Sequence, residues 1–325
     1  MKIVFHGQNA AAFMTGFDAM VGPGHTIAAL PDQLSATDST AFRDADVVVG
    51  TWLDATVAKP ENIRLYHAPA AGIDRLDTTL LPPGTPLCNC FGHENAIAEY
   101  VMTALLLRHV PIPDADRRLR EGDWRYWAGA ASSLRSELGS QTIGLLGFGH
   151  IGKTIAARAK AFGMRVTVAN RSAVAPSNLV DQAFPLSRLA EFMASADAIV
   201  VSLPHLPETT GLVDATALAA MRPDAVILNV GRGPVIDETA LFDALKARRI
   251  GGATIDTWYQ YPTSADPSPQ PSRLPFSTLD NVVMTPHMSG WTSGTVRRRQ
   301  ETMADNISRL ATGRPLINVL KPPSN

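Results

Sequence analysis

Residues 142–152 read TIGLLGFGHIG, an apolar run over 142–146 followed at once by glycines at 147, 149 and 152. The spacing G-x-G-x-x-G is informative only where it follows a strand and opens a helix. Here an alanine-rich segment of helical character, 151–162, comes next. Each glycine then has its own task. Gly147 permits a tight turn, Gly149 lets the main chain approach a pyrophosphate, and Gly152 allows the helix to pack closely on the sheet. The helix N-terminus adds N–H groups and a positive dipole end. Gly147, Phe148, Gly149, His150, Ile151 and Gly152 are therefore expected to cradle a dinucleotide.

Outward from this turn, short apolar runs alternate with helical patterns almost throughout. Strands are expected over 2–5, 46–49, 63–67, 86–90, 142–146, 165–169, 198–202, 225–230, 253–255 and 282–284. Several are continuously apolar, as when a parallel sheet is covered on both faces. Alternation of this kind implies right-handed βαβ units and an α/β fold with doubly wound parallel sheets. Helices are expected over 95–118, interrupted near Pro111 and Pro113, and over 293–312, ending at Gly313-Arg314-Pro315. The Pro- and Ser-rich stretch 261–275 reads as an exposed loop or as a flap over a cleft.

At 325 residues, two compact units are the natural expectation. A net charge of −1 gives no reason to expect nucleic acid or an anionic membrane as partner. No apolar stretch approaches the ~18 residues of a membrane span. The start, MKIVFHGQN, reads as a first strand rather than a leader. Cys88 and Cys90 would share one face of a strand, as small structural residues rather than a redox pair, which fits a cytoplasmic protein. The eight histidines show no metal-ligand spacing, so no metal is expected.

The end of the second strand after the glycine turn bears on which dinucleotide binds. Sites for NAD place an acidic residue there, about 20 residues on, against the ribose 2′-OH. This chain has Asn170-Arg171-Ser172 instead, and its first acid after Gly152 is Asp181. A carboxylate would repel a 2′-phosphate, whereas Arg171 and Ser172 can donate to one, so NADP is expected, with NAD possible. The alternative is that Arg171 merely faces solvent.

Farther along, ILNVGRGPVID (227–237) sets Arg232 between glycines directly after an apolar run, and TPHMSGW (285–291) sets His287 after the run 282–284. Both side chains thus emerge at the C-terminal ends of strands, where open α/β sheets bind ligands. With HAPAAGIDRLD (67–77), AIAEYVMTALLL (96–107), REGDWRYW (120–127), SLPHLPETTGL (202–212) and GGATIDTW (251–258), these blocks resemble the D-isomer-specific 2-hydroxyacid dehydrogenases over most of the chain.

The resemblance implies two doubly wound domains. One is a Rossmann cofactor domain at 99–289. The other is a flavodoxin-like substrate domain at 1–98 plus 290–325, with the active site in the cleft between them and a homodimer joined near 95–130. It implies that Arg232 holds the carboxylate of a small 2-oxo or 2-hydroxy acid, joined by the amides of Ala71 and Gly72. His287 would be the acid–base. Val230, Gly231 and Asp256 would line the ribose and nicotinamide, and Leu203 and Pro204 the adenine side. The reaction expected is NADPH-dependent reduction of a glyoxylate- or hydroxypyruvate-type acid. The alternative is a catalytically weak nucleotide sensor or corepressor on the same fold; a formate-type dehydrogenase is disfavoured.

Two positions depart from the family pattern. A glutamate usually partners the histidine, five residues after the place of Asp256 and before a proline; here Tyr261 stands there. A carboxylate raises the pKa of imidazole, while a phenol supplies only a hydrogen bond. Either Tyr261 orients His287 without charging it, or a shifted loop brings another residue, or catalysis is weak. His93, where relatives often carry asparagine, is read as a substrate contact or a rim residue, and Trp291 as a pocket wall or a packing residue.

Overall fold

The computed structural model describes residues 1–129, 131–263 and 266–320, and these form two compact units. One comprises Met1–Gly92 with the chain from Thr292 onward, the other His93–Trp291.

The first unit is built on a sheet whose parallel strands are β1 (Lys2–His6), β2 (Thr26–Leu30), β3 (Val47–Gly50), β4 (Leu65–His67) and β5 (Leu87–Cys88). Their order, β5-β4-β3-β1-β2, is the flavodoxin-like 2-1-3-4-5. A short strand, Val319–Leu320, adds antiparallel to β5. The fully buried VVV of β3 sits in the middle, as a strand covered on both faces should. One face is closed by the helix Ser293–Ala311, whose Met303, Ala304 and Ile307 pack with Phe5, Phe13, Phe17, Cys88 and Cys90. A polar pin crosses this core. Asn306 donates to Nε2 of His67 at 2.9 Å, and burial lowers the His67 pKa to about 4, which keeps the ring neutral and able to accept. Both cysteines are reduced and buried, and burial pushes the Cys88 thiol up to about 11 and that of Cys90 to about 12.

The second unit holds seven parallel strands: β6 (Thr142–Leu146), β7 (Arg165–Asn170), β8 (Gln182–Pro185), β9 (Ala198–Val201), β10 (Val226–Asn229), β11 (Gly252–Ile255) and β12 (Val282–Met284). Their order, β8-β7-β6-β9-β10-β11-β12, is that of a Rossmann sheet extended by one strand. The reversal falls between β6 and β9, paired Ile143 to Ala198 through Leu146 to Val201. Because every strand is parallel, all their C-terminal ends reach one edge, and the residues following them are gathered there. Apolar cores line both faces of the sheet.

Before this sheet come the helices Glu94–His109 and Ile112–Arg120. The break between them lies at Pro111, the N-cap of the second. The stretch 261–275 carries neither helix nor strand where described, and positions 264 and 265 of that expected flap lie outside the described residues. Among the described residues, no helix is long and apolar enough to cross a membrane.

Candidate active site

At the sheet edge of the second unit, the glycine turn has the geometry its spacing implied. Gly147 has φ +105°, a conformation side-chain-bearing residues rarely adopt. A Cβ on Gly152 would lie 2.3 Å from the carbonyl oxygen of Gly147, so the turn's own backbone demands glycine there. A Cβ on Gly149 would meet nothing within 4 Å, which leaves open space where the main chain can meet a ligand. Gly149 begins the helix His150–Ala161, whose first turn carries no acid and which, among the described residues, no side chain caps. An uncompensated helix N-terminus beside an open glycine fits a pyrophosphate.

Asn170 ends β7 as expected, but its amide is engaged locally. Its Oδ1 accepts from the Phe148 N–H at 3.3 Å and its Nδ2 donates to the Ser172 carbonyl at 3.1 Å. It therefore ties the glycine turn to the strand end. Arg171 and Ser172 follow on the surface. Leu203, after β9, is a hinge of the arrangement: a Cβ on Gly147 would come within 3.1 Å of its side chain, and one on Gly231 within 2.6 Å of its carbonyl oxygen. Pro204 accepts from the Thr209 hydroxyl at 2.7 Å.

After β10 the buried Asn229 folds the next loop. Its Oδ1 accepts from the Gly231 N–H at 3.1 Å, and its Nδ2 donates to the Arg232 carbonyl at 3.1 Å. Val230 is buried in the core, and so is Gly231 after it. The glycines flanking Arg232 are forced by crowding. A Cβ on Gly233 would lie 2.3 Å from the Trp258 carbonyl oxygen, just as one on Gly231 would strike Leu203. The Arg232 side chain is half-buried, and its Nη1 donates to the Gly231 carbonyl at 2.9 Å.

The loop after β12 carries His287, whose φ of +57° lies in the left-handed region, a cost of about 1 kcal/mol or more for a non-glycine residue. Asp256, fully buried after β11, holds that loop. Its carboxylate accepts from the Thr285 hydroxyl at 2.6 Å and from the Met288 and Ser289 N–H groups, each at 2.9 Å. Thr285 is further fixed by the Tyr100 hydroxyl at 2.7 Å and, through its carbonyl, by the Trp258 indole N–H at 2.8 Å. Residues on either side of His287 are thus pinned, and the strained backbone aims its ring.

The Tyr261 hydroxyl lies 2.9 Å from Nδ1 of His287 and accepts the Trp258 backbone N–H at 3.0 Å. Loss of hydration pushes the phenol above its ordinary range. The Trp258 N–H and the nearby Arg232 guanidinium oppose that shift, and Asp256 adds to it. The phenol is neutral at physiological pH, and either atom of the Tyr261–His287 pair can donate. Arg232, Tyr261, His287 and Asp256 are therefore brought together with the glycine turn on one edge of one sheet.

The other residues singled out in the sequence have their own local surroundings. His93 is the N-cap of Glu94–His109, and a Cβ on Gly290 would lie 3.4 Å from its own. Trp291 is about half exposed. Ala71 and Gly72 belong to the first unit, in the loop after β4, where the Ala71 carbonyl accepts from the buried Asn89 at 2.8 Å. The sequence reading missed Asn229, Trp258 and Thr285. A buried polar residue closing an apolar strand, as in ILN, was the available signal for Asn229; nothing local marks the other two.

Residues 102–289 match the family model of the D-isomer specific 2-hydroxyacid dehydrogenase, NAD binding domain. The chain is 31% identical over 305 residues to D-3-phosphoglycerate dehydrogenase of Mycobacterium leprae, a match covering 88% of this chain and 54% of that protein. It thus spans about half the length of the curated relatives it matches. A D-isomer specific 2-hydroxyacid dehydrogenase family protein from Aeromonas salmonicida superposes with a TM-score of 0.82 at 26% identity, over 98% of each chain. The D-isomer specific 2-hydroxyacid dehydrogenase from Xanthobacter autotrophicus, solved with NADPH and MES, gives 0.79 at 26% identity, over 99% of this chain and 98% of that one.

Proposed function

The chain belongs to the D-isomer specific 2-hydroxyacid dehydrogenase family, and from that premise we propose that it reduces a small 2-oxo acid of the glyoxylate or hydroxypyruvate type, with NADPH preferred over NADH. The observation that carries this reading is the 2.9 Å contact of Tyr261 with His287 Nδ1 beside Arg232. It gives the histidine a partner in the place of the glutamate usual in the family, and so favours turnover over a sensor with vestigial chemistry.

When bound, the nicotinamide supplies a hydride to the carbonyl carbon. The residues do the rest. Arg232 takes the substrate carboxylate with its planar fork and so fixes which carbonyl face is presented. His287 delivers a proton from Nε2 to the oxygen as it gains charge. Once Nε2 has given up its proton, the neutral ring keeps the one on Nδ1, which donates to the phenol oxygen that also accepts the Trp258 N–H. When the ring is an imidazolium, the same phenol oxygen accepts from Nδ1–H. A phenol can therefore hold the ring in both states, where a carboxylate would favour the charged one.

The NADPH preference rests on Arg171 and on the absence of a carboxylate at the end of β7. The chain that resembles this one in the Xanthobacter structure was solved with NADPH, which supports it. A homodimer is proposed through the region of 107–134, where Ile112, Leu119, Trp124, Trp127 and Leu134 are between 52% and 84% exposed, an unusual density of large apolar side chains. The reading is tested by following nicotinamide absorbance with NADPH and NADH across 2-oxo acids from glyoxylate to phenylpyruvate. Nucleotide binding without turnover of any acid would overturn it.

A further inference from the structure

The strand end that lacks an acid nevertheless has a carboxylate beside it. Nη1 of Arg171 lies 3.6 Å from Oε1 of Glu208, the two side chains being 77% and 58% exposed. Glu208 belongs to the single turn Pro207–Thr209 that follows β9, and that turn is fixed. The buried Thr209 donates to the Pro204 carbonyl at 2.7 Å and accepts from the Leu206 N–H at 2.8 Å. Its backbone therefore keeps Glu208 near Arg171. Building on the proposed NADPH preference, we propose that Glu208 competes with the 2′-phosphate of NADPH for Arg171, and so limits how strongly the chain prefers NADPH to NADH.

An exposed ion pair is weak by itself, so a phosphate carrying a charge of about −1.5 to −2 can take the guanidinium. The displaced carboxylate stays within a few ångströms of the phosphate, closer than the ~8 Å over which physiological salt screens charge, and repels it. A ribose hydroxyl brings no charge, and the same carboxylate can accept a hydrogen bond from it. Asn170 is poorly placed to take that part, since its amide already bonds Phe148 and Ser172. Glu208 thus supplies, from a neighbouring loop, the negative charge missing from the end of β7.

The test is calorimetric binding of adenosine 2′,5′-bisphosphate and of adenosine 5′-monophosphate to the wild type, Glu208→Gln and Arg171→Ala. Both positions are exposed, so the variants should fold. Glu208→Gln is expected to bind the bisphosphate about three- to tenfold more tightly, a gain that shrinks in high salt, and the monophosphate slightly more weakly, because an amide oxygen is a weaker acceptor for the ribose hydroxyl. Arg171→Ala should lose about tenfold or more for the bisphosphate alone. If Glu208→Gln leaves both affinities unchanged while Arg171→Ala behaves as expected, the role of Glu208 is wrong and the NADPH reading stands. If Arg171→Ala shows no selective loss, both fall.

Discussion

The hydroxyl of Tyr261 and Nδ1 of His287 are 2.9 Å apart, and the same hydroxyl accepts the main-chain N–H of Trp258. A neutral group thus occupies the place where most of the family sets a charge. A phenol on Nδ1 favours the protonated ring less than a carboxylate would, so the proton needed for reduction is held less tightly. Protonation falls as pH rises, so kcat/KM for reduction should decline with rising pH. Tyr261→Glu should carry that limb to higher pH by about one unit or more. Tyr261→Phe should lower kcat about tenfold and leave the Trp258 N–H without its acceptor, at a cost of about 1–2 kcal/mol. A wild-type plateau extending well beyond pH 8 would contradict the neutral-partner assignment.

Arg232 is expected to make two charge-assisted hydrogen bonds to the substrate carboxylate, worth about 1.5–3 kcal/mol each. Arg232→Ala should therefore reduce kcat/KM on 2-oxo acids by about 10²- to 10⁴-fold. Arg232→Lys should recover only part of this, since an ammonium lacks the fork. Near-normal rates in the alanine variant would remove Arg232 from the site.

Asp256 acts through the loop it anchors. Asp256→Asn replaces one acceptor oxygen with an N–H facing other N–H donors, in a fully buried position. It should destabilise the protein by about 2–4 kcal/mol, a fall in melting temperature of several degrees. Because that loop holds His287 at positive φ, kcat should fall more than KM rises. Unchanged melting and kinetics together would show that the loop holds itself.

The exposed tryptophans give a test of assembly. Light scattering should find the wild type as a dimer, and Trp124→Asp with Trp127→Asp should shift it toward monomer without changing the helical circular dichroism. A monomeric wild type at micromolar concentration would reject the proposed interface.

Much of this architecture could be read in advance, and where it could not the reasons are physical. Thr142–Leu146 and Val282–Met284 were placed to the residue because apolar runs there end abruptly at glycine or Thr-Pro. Thr26–Leu30 and Gln182–Pro185 went unseen: both are edge strands with little buried surface, and the second ends in proline, which edge strands tolerate. Arg232 and His287 announced themselves by following strands. The network behind them did not, because Asp256, Trp258 and Thr285 meet only once β11 and β12 are paired, and a hydrogen bond across strands leaves no local pattern.

The first unit is assembled from two distant stretches of chain, with the helix Ser293–Ala311 closing its core and Val319–Leu320 completing its sheet. On the ribosome β1–β5 emerge before the helix that closes their core, so Phe5, Phe13 and Phe17 wait for Met303 and Ile307, some three hundred residues later in synthesis. The second unit, continuous from His93 to Trp291, has all its strands before those partners emerge. The second unit can therefore complete its sheet during synthesis before the first can complete its core. Until that helix emerges, β1–β5 expose the apolar face it covers, the kind of surface that promotes aggregation.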